Sequence, residues 1–294
     1  MRDFKFSGHD TFFCKQQWLL KGVELIDREG VDSFLKLDKA IPSLGVGKNM
    51  VLSINYWLKS FGLLDGDKLS KLAELIFVGP KAYDKYLEDE GSLWLLQYFI
   101  CSQNYASIYH IIFRDYFKER VSNEYTETQI INFIQRKLIE TKHREVSENT
   151  LRTDFKVFVR SYVSSFSSSK TIEDDYNSPL LELNLVSVLS RKMNGEDIVY
   201  KVNKEVRTNF PIHIFGFCLI QEFGLNTSIN YQDIRDSLGN YFGLTNEGLE
   251  LIIEKLIDSY KDFTFNDDAG VRQIQIKSQD ENLHIKLLND YYAV

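Results

Sequence analysis

His9 and Asp10 stand side by side in Phe6-Ser7-Gly8-His9-Asp10-Thr11-Phe12, with Cys14 shortly after. An imidazole beside a carboxylate has the groups to ligate a metal ion or move a proton. A metal centre needs three or four ligands, however. The other histidines, His110, His143, His213 and His284, are scattered, and no His/Cys cluster accompanies them. The alternative is structural: His9 and Asp10 cap a helix expected over Thr11–Gly22 while Phe12, Phe13 and Trp18 pack. Glu88-Asp89-Glu90 could hold a metal for a nuclease, but no lysine-bearing strand accompanies it. Acids before an apolar helix suit a capping region. No catalytic set, metal site or cofactor is assigned.

The segment Leu44–Leu64, LGVGKNMVLSINYWLKSFGLL, offers different chemistry. Gly45-Val46-Gly47-Lys48 suggests a phosphate loop, but Asn49 stands where Ser or Thr would hold the metal, and no hydrophobic strand precedes it. A better match is a helix-turn-helix, in which a tight glycine turn precedes a helix that can enter the major groove. On a helical wheel Met50, Val51, Ile54, Trp57, Leu58 and Phe61 form the packing side. Lys48, Asn49, Leu52, Asn55, Tyr56 and Lys59 fall elsewhere. Lys48 and Lys59 could meet phosphates, and Asn49 and Asn55 base edges, with Tyr56 beside them. No acid occurs between Ile41 and Leu64. The structural alternative is a core helix behind a glycine turn. Arg152, Lys156 and Arg160, four apart, form a cationic stripe that could track a phosphate backbone or be a solvated face.

These residues need elements to hold them. The chain has 294 residues, 44% hydrophobic and 26% charged, the range of a globular protein with a sizeable core. Three isolated cysteines fit a reducing compartment. With no apolar leader or membrane-length run, a cytoplasmic protein is expected. A net charge of −7 disfavours a general nucleic-acid binder, so any DNA contact must be local. The expected fold is mainly α with small β-hairpins: winged-helix-like N-terminal and C-terminal units joined by a helical middle region.

The expected divisions are residues 1–82, 83–163, a Ser-rich linker 164–177, and 178–294. Within the first, helices are expected over Trp18–Asp27, Val31–Ile41 and Met50–Phe61. Asn49 would be the N-cap of the last, Gly62 its terminator and Asp65-Gly66 a hairpin turn. The middle should carry helices over Leu93–Cys101, Ile108–Arg120, Thr126–Glu140 with a Thr126/Gln129 capping box, and Thr150–Val163. The last should carry a strand over Asp197–Val202, helices over Pro211–Phe223, Tyr231–Leu238 and Asn246–Tyr260, and a hairpin around Asp268-Ala269-Gly270.

Phe6–Gly22 (FSGHDTFFCKQQWLLKG), Ile41–Leu64 and Tyr86–Ile100 (YLEDEGSLWLLQYFI), with Ser178–Val186 and Tyr291-Tyr292 later, resemble one uncharacterised bacterial family. It is known only as domain of unknown function four thousand and seven. The resemblance covers most of the chain. Family members tend to be encoded beside DNA phosphorothioation genes, near a sulfate-reductase-like sulfur-transfer enzyme. The resemblance therefore implies a part in sulfur-based DNA modification and defence against foreign DNA. The implied partners are double-stranded DNA, phosphorothioated DNA included, and proteins of the same defence cluster. The family supplies no catalytic residues. Its pattern has arginine where this chain has Leu52, a basic residue near Asn55, and often Glu at the position of Asp10. The expectation is a DNA-binding accessory or regulatory protein. The alternatives are a scaffold for the modification enzymes and a metal-dependent nuclease using His9, Asp10 and the Glu88–Glu90 turn.

Overall fold

The computed structural model describes residues 4–118, 120, 122–164, 178–190, 197–268 and 270–293. Helices dominate, and the strands form small antiparallel sheets. Helix α1 (Gln16–Glu29) buries Trp18, Leu19, Val23 and Ile26, the spacing of one apolar face. A 3-10 turn (Val31–Leu35) leads to α2 (Leu37–Leu44), and α3 (Lys48–Ser60) follows. Gly45 ends α2 at φ 67°, a left-handed conformation that glycine adopts without a Cβ penalty. Gly22 lets α1 cross α3 closely. A Cβ there would lie 2.8 Å from Leu58 Cδ1 and 2.9 Å from Ile54 Cγ2. Strands β1 (Leu64–Asp65) and β2 (Lys68–Leu69) pair as a hairpin, with Gly66 at φ 59°, before α4 (Lys71–Phe77).

Helix α5 (Glu90–Ser102) is buried along its whole length from Gly91 to Cys101, so it forms the axis of the molecule. Asp89 caps it, its side chain accepting from the Gly91 N–H at 2.8 Å. Around it lie α6 (Ser107–His110), continued as a π-helical segment Ile111–Tyr116, then β3 (Glu124–Thr126), α7 (Glu127–Glu140) and α8 (Glu148–Tyr162). The Thr126/Gln129 capping box forms at the start of α7.

Strands β4 (Val186–Ser190) and β5 (Val199–Val202) complete a sheet in the order β3-β5-β4. The rest runs α9 (Ile212–Phe223), β6 (Thr227–Asn230), α10 (Tyr231–Ile234) with a π-helical continuation Arg235–Gly239, and α11 (Asn246–Ser259). Strands β7 (Phe263–Asp268) and β8 (Val271–Ile276) join β6 in the order β6-β8-β7. Helix α12 (Leu283–Tyr292) packs on α9 and returns to the α5 entrance. There Tyr292 stacks on Tyr83, and the Tyr291 hydroxyl donates to Asp89 at 2.8 Å. The buried apolar residues form one cluster from Phe13 to Leu288.

Several local expectations change. Residues 10–14 are not helical, and α1 starts at Gln16. Ser7, Asp10 and Thr11 have φ of 70°, 45° and 66°, incompatible with a right-handed helix start. Val31–Ile41 divides into the 3-10 turn and α2. Gly47, not Asn49, occupies the N-cap of α3. The helices expected over Ile108–Arg120 and Tyr231–Leu238 both turn π-helical partway, a widening that periodicity does not reveal. Of the expected linker 164–177, all but Ser164 lies outside the described residues. Among the described residues no helix is long and apolar enough to cross a membrane.

Candidate nucleic-acid interface

Helix α3 presents a narrower polar face than the wheel predicts. Lys48, Asn49 and Leu52 are exposed, and Asn55 and Lys59 are half-buried. At about 100° per residue, positions 48, 52, 55 and 59 fall on one stripe along the helix. Among the described residues no carboxylate pairs with Lys48 or Lys59. Asn55 places its Oδ1 where solvent does not reach and no described residue donates to it. That leaves its amide nitrogen as the group it can offer, short of the donor–acceptor pair that reads an adenine edge.

Tyr56 does not belong to this face. It is 5% exposed and packs edge-on against His9 and Trp57, with Tyr105 on another side. The wheel misplaces it because α3 is covered on two sides. Helix α1 takes the aliphatic side, and the N-terminal loop lies over Tyr56 and Trp57. Gly8 allows that loop to approach, since a Cβ there would lie 2.8 Å from the Tyr56 ring.

This loop holds the His–Asp pair, and its main partner is remote in sequence. His9, 3% exposed, places Nε2 at 3.1 Å from Oδ1 of Asp154 on α8. The Thr11 N–H donates to His9 Nδ1 at 3.1 Å, which fixes the neutral tautomer with its proton on Nε2. Asp154 also accepts from the Ser7 N–H, at 3.1 and 3.0 Å to its two oxygens. Both ring nitrogens are therefore occupied, and His9 acts in this arrangement as a brace between the loop and α8. Asp10 is half-exposed at the mouth of a cleft of about 290 Å³ that Thr11, Asn149 and Thr153 also line. Burial pushes the Cys14 thiol well up, so it is a packing group and not a ready thiolate ligand. Among the described residues no three His, Cys, Asp or Glu side chains converge as a metal site. Glu90 instead accepts from the Trp94 indole at 3.0 Å, and the Glu88 N–H bonds Asp84 at 2.9 Å.

The stripe on α8 is unequal. Arg152 is taken up by Glu127 at 2.8 Å and Glu148 at 2.7 Å. The hydrogen bonds it donates to those two carboxylates, Glu127 first, raise its pKa. Arg160 lies over the Phe13 ring, 4.6 Å from its centroid. Lys156 is exposed. The residue that sequence reading missed is Asp154, embedded in this cationic run. Its one signal is a carboxylate at a buried position of an amphipathic helix, between Leu151 and Phe158.

A family model described as a protein of unknown function (DUF4007) matches residues 6–292. No curated protein matches the chain. Two crystal structures are similar. One, described as magnesium ion-bound SspB, has a TM-score of 0.83 and 21% identity over 98% of this chain and 88% of that one. The other, described as SspB, has a TM-score of 0.80 at the same identity and coverage. At this identity the likeness establishes the fold.

Proposed function

The chain belongs to the DUF4007 family, and from that premise we propose that it is a DNA-binding accessory or regulatory protein of a phosphorothioation-linked modification and defence system. The observation that carries the reading is the α3 stripe. Two lysines with no carboxylate partner among the described residues flank Leu52 and Asn55 on a helix that follows a glycine turn, in a protein of net charge −7. We read α1–β2 and α9–β8 as winged-helix-like units. In the first, α3 is the helix offered to a groove, with Lys48 and Asn49 at its N-terminal end, where main-chain N–H groups also favour phosphate.

The stripe is short and carries few cations, so binding is weak and dominated by phosphate contacts. The test is a gel-shift series across salt concentrations with duplex DNA, with and without phosphorothioate linkages. Each lost phosphate contact lowers the log–log salt slope by about 0.9, so Lys48→Ala/Lys59→Ala should lower it by about 1.8. An unchanged slope overturns the reading.

A protein-scaffold role is supported by the second unit. The corresponding helix, α11, exposes Glu247, Glu254 and Asp258 against Lys255. That face repels DNA and suits a basic protein partner encoded with the chain. Charge reversal at Glu247 and Glu254 should abolish co-purification with such a partner and leave DNA retention intact. The metal-dependent alternative draws on the magnesium-bound relative. Here the cleft offers Asp10 and Asp154, but Asp154 already accepts from Ser7 and His9. His9 also lines the cleft, but among the described residues no three His, Cys, Asp or Glu side chains are placed to hold a metal ion together, so the geometry lends this alternative no support.

A further inference from the structure

The two π-helical segments, 111–116 and 235–239, pack against each other. Where they meet, two cations reach one carboxylate and a third lies beside them. Arg235 reaches Asp236 Oδ1 at 3.2 Å, and Lys118 lies 4.0 Å from Oδ2. Lys204 donates to Asn240 Oδ1 at 3.0 Å instead of to a carboxylate. The Gln232 amide donates to both oxygens of Asp236 at 2.9 and 3.0 Å. Asp236 is thus fully engaged, and among the described residues three cations against this one carboxylate leave a local excess of two positive charges. In a chain of net charge −7, such crowding is unfavourable unless something relieves it.

The cluster is built into the fold. Lys204 sits between Asn203 and Glu205, and the Glu205 N–H donates to Gly243 O at 2.9 Å while the Thr245 N–H donates to Glu205 O at 3.0 Å. This bridge holds the lysine over the start of the turn before α11. Burial, and after it the neighbouring Arg235, push the Lys204 ammonium below the ordinary lysine range, with Asp236 partly offsetting them. Side chains of Lys118 and Arg235 are 59% and 42% exposed, so an anion can approach from solvent.

We propose that Lys118, Lys204 and Arg235 form a phosphate-binding site, separate from α3, that takes a phosphate group of nucleic acid or free phosphate. An oxyanion there would accept from the Arg235 guanidinium and the two ammonium groups, and it would supply the negative charge that the described residues around the cluster do not. The site stands independently of the α3 interface.

The test uses the full chain and two probes, duplex DNA across a salt series and inorganic phosphate at matched ionic strength. With Lys48 and Lys59 intact, Lys204→Ala/Arg235→Gln should lower the DNA salt slope by about 1.8. Asp236→Asn keeps the shape and removes the competing charge, so it should tighten binding about fivefold. Misfolding would not mimic that gain. A melting midpoint raised by inorganic phosphate in the wild type but not in Lys204→Ala/Arg235→Gln, with DNA binding unchanged, assigns the site to free phosphate. If neither probe responds to the cation substitutions, or if Asp236→Asn tightens neither, the proposal is overturned. A weakened Lys204→Ala/Arg235→Gln beside an unaffected Lys48→Ala/Lys59→Ala would remove the α3 reading and leave this site standing.

Discussion

Replacing Asp154 by alanine removes the acceptor that ties the N-terminal loop to α8. The His9 Nε2–H, in a ring 3% exposed, then loses its acceptor. Leaving such a donor unpaired costs about 1–3 kcal/mol. The Ser7 N–H adds up to about 1 kcal/mol, less than a buried donor would, because Ser7 is exposed and water can replace the lost oxygen. The loop is also held with non-glycine residues at positive φ, so losing the brace releases strain by opening it. The expected loss is about 1–4 kcal/mol, against a total of about 5–15 kcal/mol for a typical protein. Asp154→Asn retains an acceptor for His9 and should cost less.

The assay is urea unfolding followed both by helical circular dichroism and by tryptophan fluorescence. Trp57 stacks on His9 with ring centroids 6.3 Å apart, so with Trp18 and Trp94 replaced by Phe its emission reports the loop. Because the two side chains act on each other, His9→Ala, Asp154→Ala and the double variant should show a coupling of about 0.5–3 kcal/mol. Limited proteolysis should cut within 7–11 in the single variants sooner than in the wild type. A stability change below about 0.5 kcal/mol for Asp154→Ala, with additive single effects, would refute the brace.

Other outcomes follow from the same structure. Gly22→Ala places a methyl against Leu58 and Ile54, so the denaturant midpoint should fall by the equivalent of about 1–3 kcal/mol. Arg152→Gln should leave the DNA salt slope unchanged, since Glu127 and Glu148 already occupy that guanidinium, whereas Lys156→Ala should lower it by about 0.9 if α8 borders the DNA. Tyr56→Phe should not alter DNA retention, because the ring lies inside the protein; a loss with normal melting would contradict this. His213 is pushed below the ordinary histidine value of 6.5 by burial, with Asp290 partly offsetting it. The unfolded chain therefore takes up this proton first as pH falls. Its contribution is full above 6.5 and is lost between 6.5 and the lower folded value, so His213→Gln should flatten that part of the stability profile.

The sequence by itself determined the pieces whose causes are local. The Thr126/Gln129 capping box, the Asp65-Gly66 hairpin and the paired strands β7 and β8 depend on side chains and backbone within a few residues of one another. Short-range hydrogen bonds and turn preferences decide such features, and their residues can be read in order. The exposed end of α3 was legible for the same reason, at Lys48, Asn49 and Leu52. Tyr56 was not, because the layer that buries it comes from residues 8 and 9 and from Tyr105.

The His9 partner lies 145 residues away, and the Lys118, Lys204 and Arg235 cluster draws on three distant segments. Only tertiary packing brings those groups together. The reason is that an ion pair or brace across such separations gains its position from the shared core. Nothing in the local sequence specifies which helix face will meet which. The His–Asp motif thus announced that something was held at the N-terminus, and the fold decided that the object held was α8.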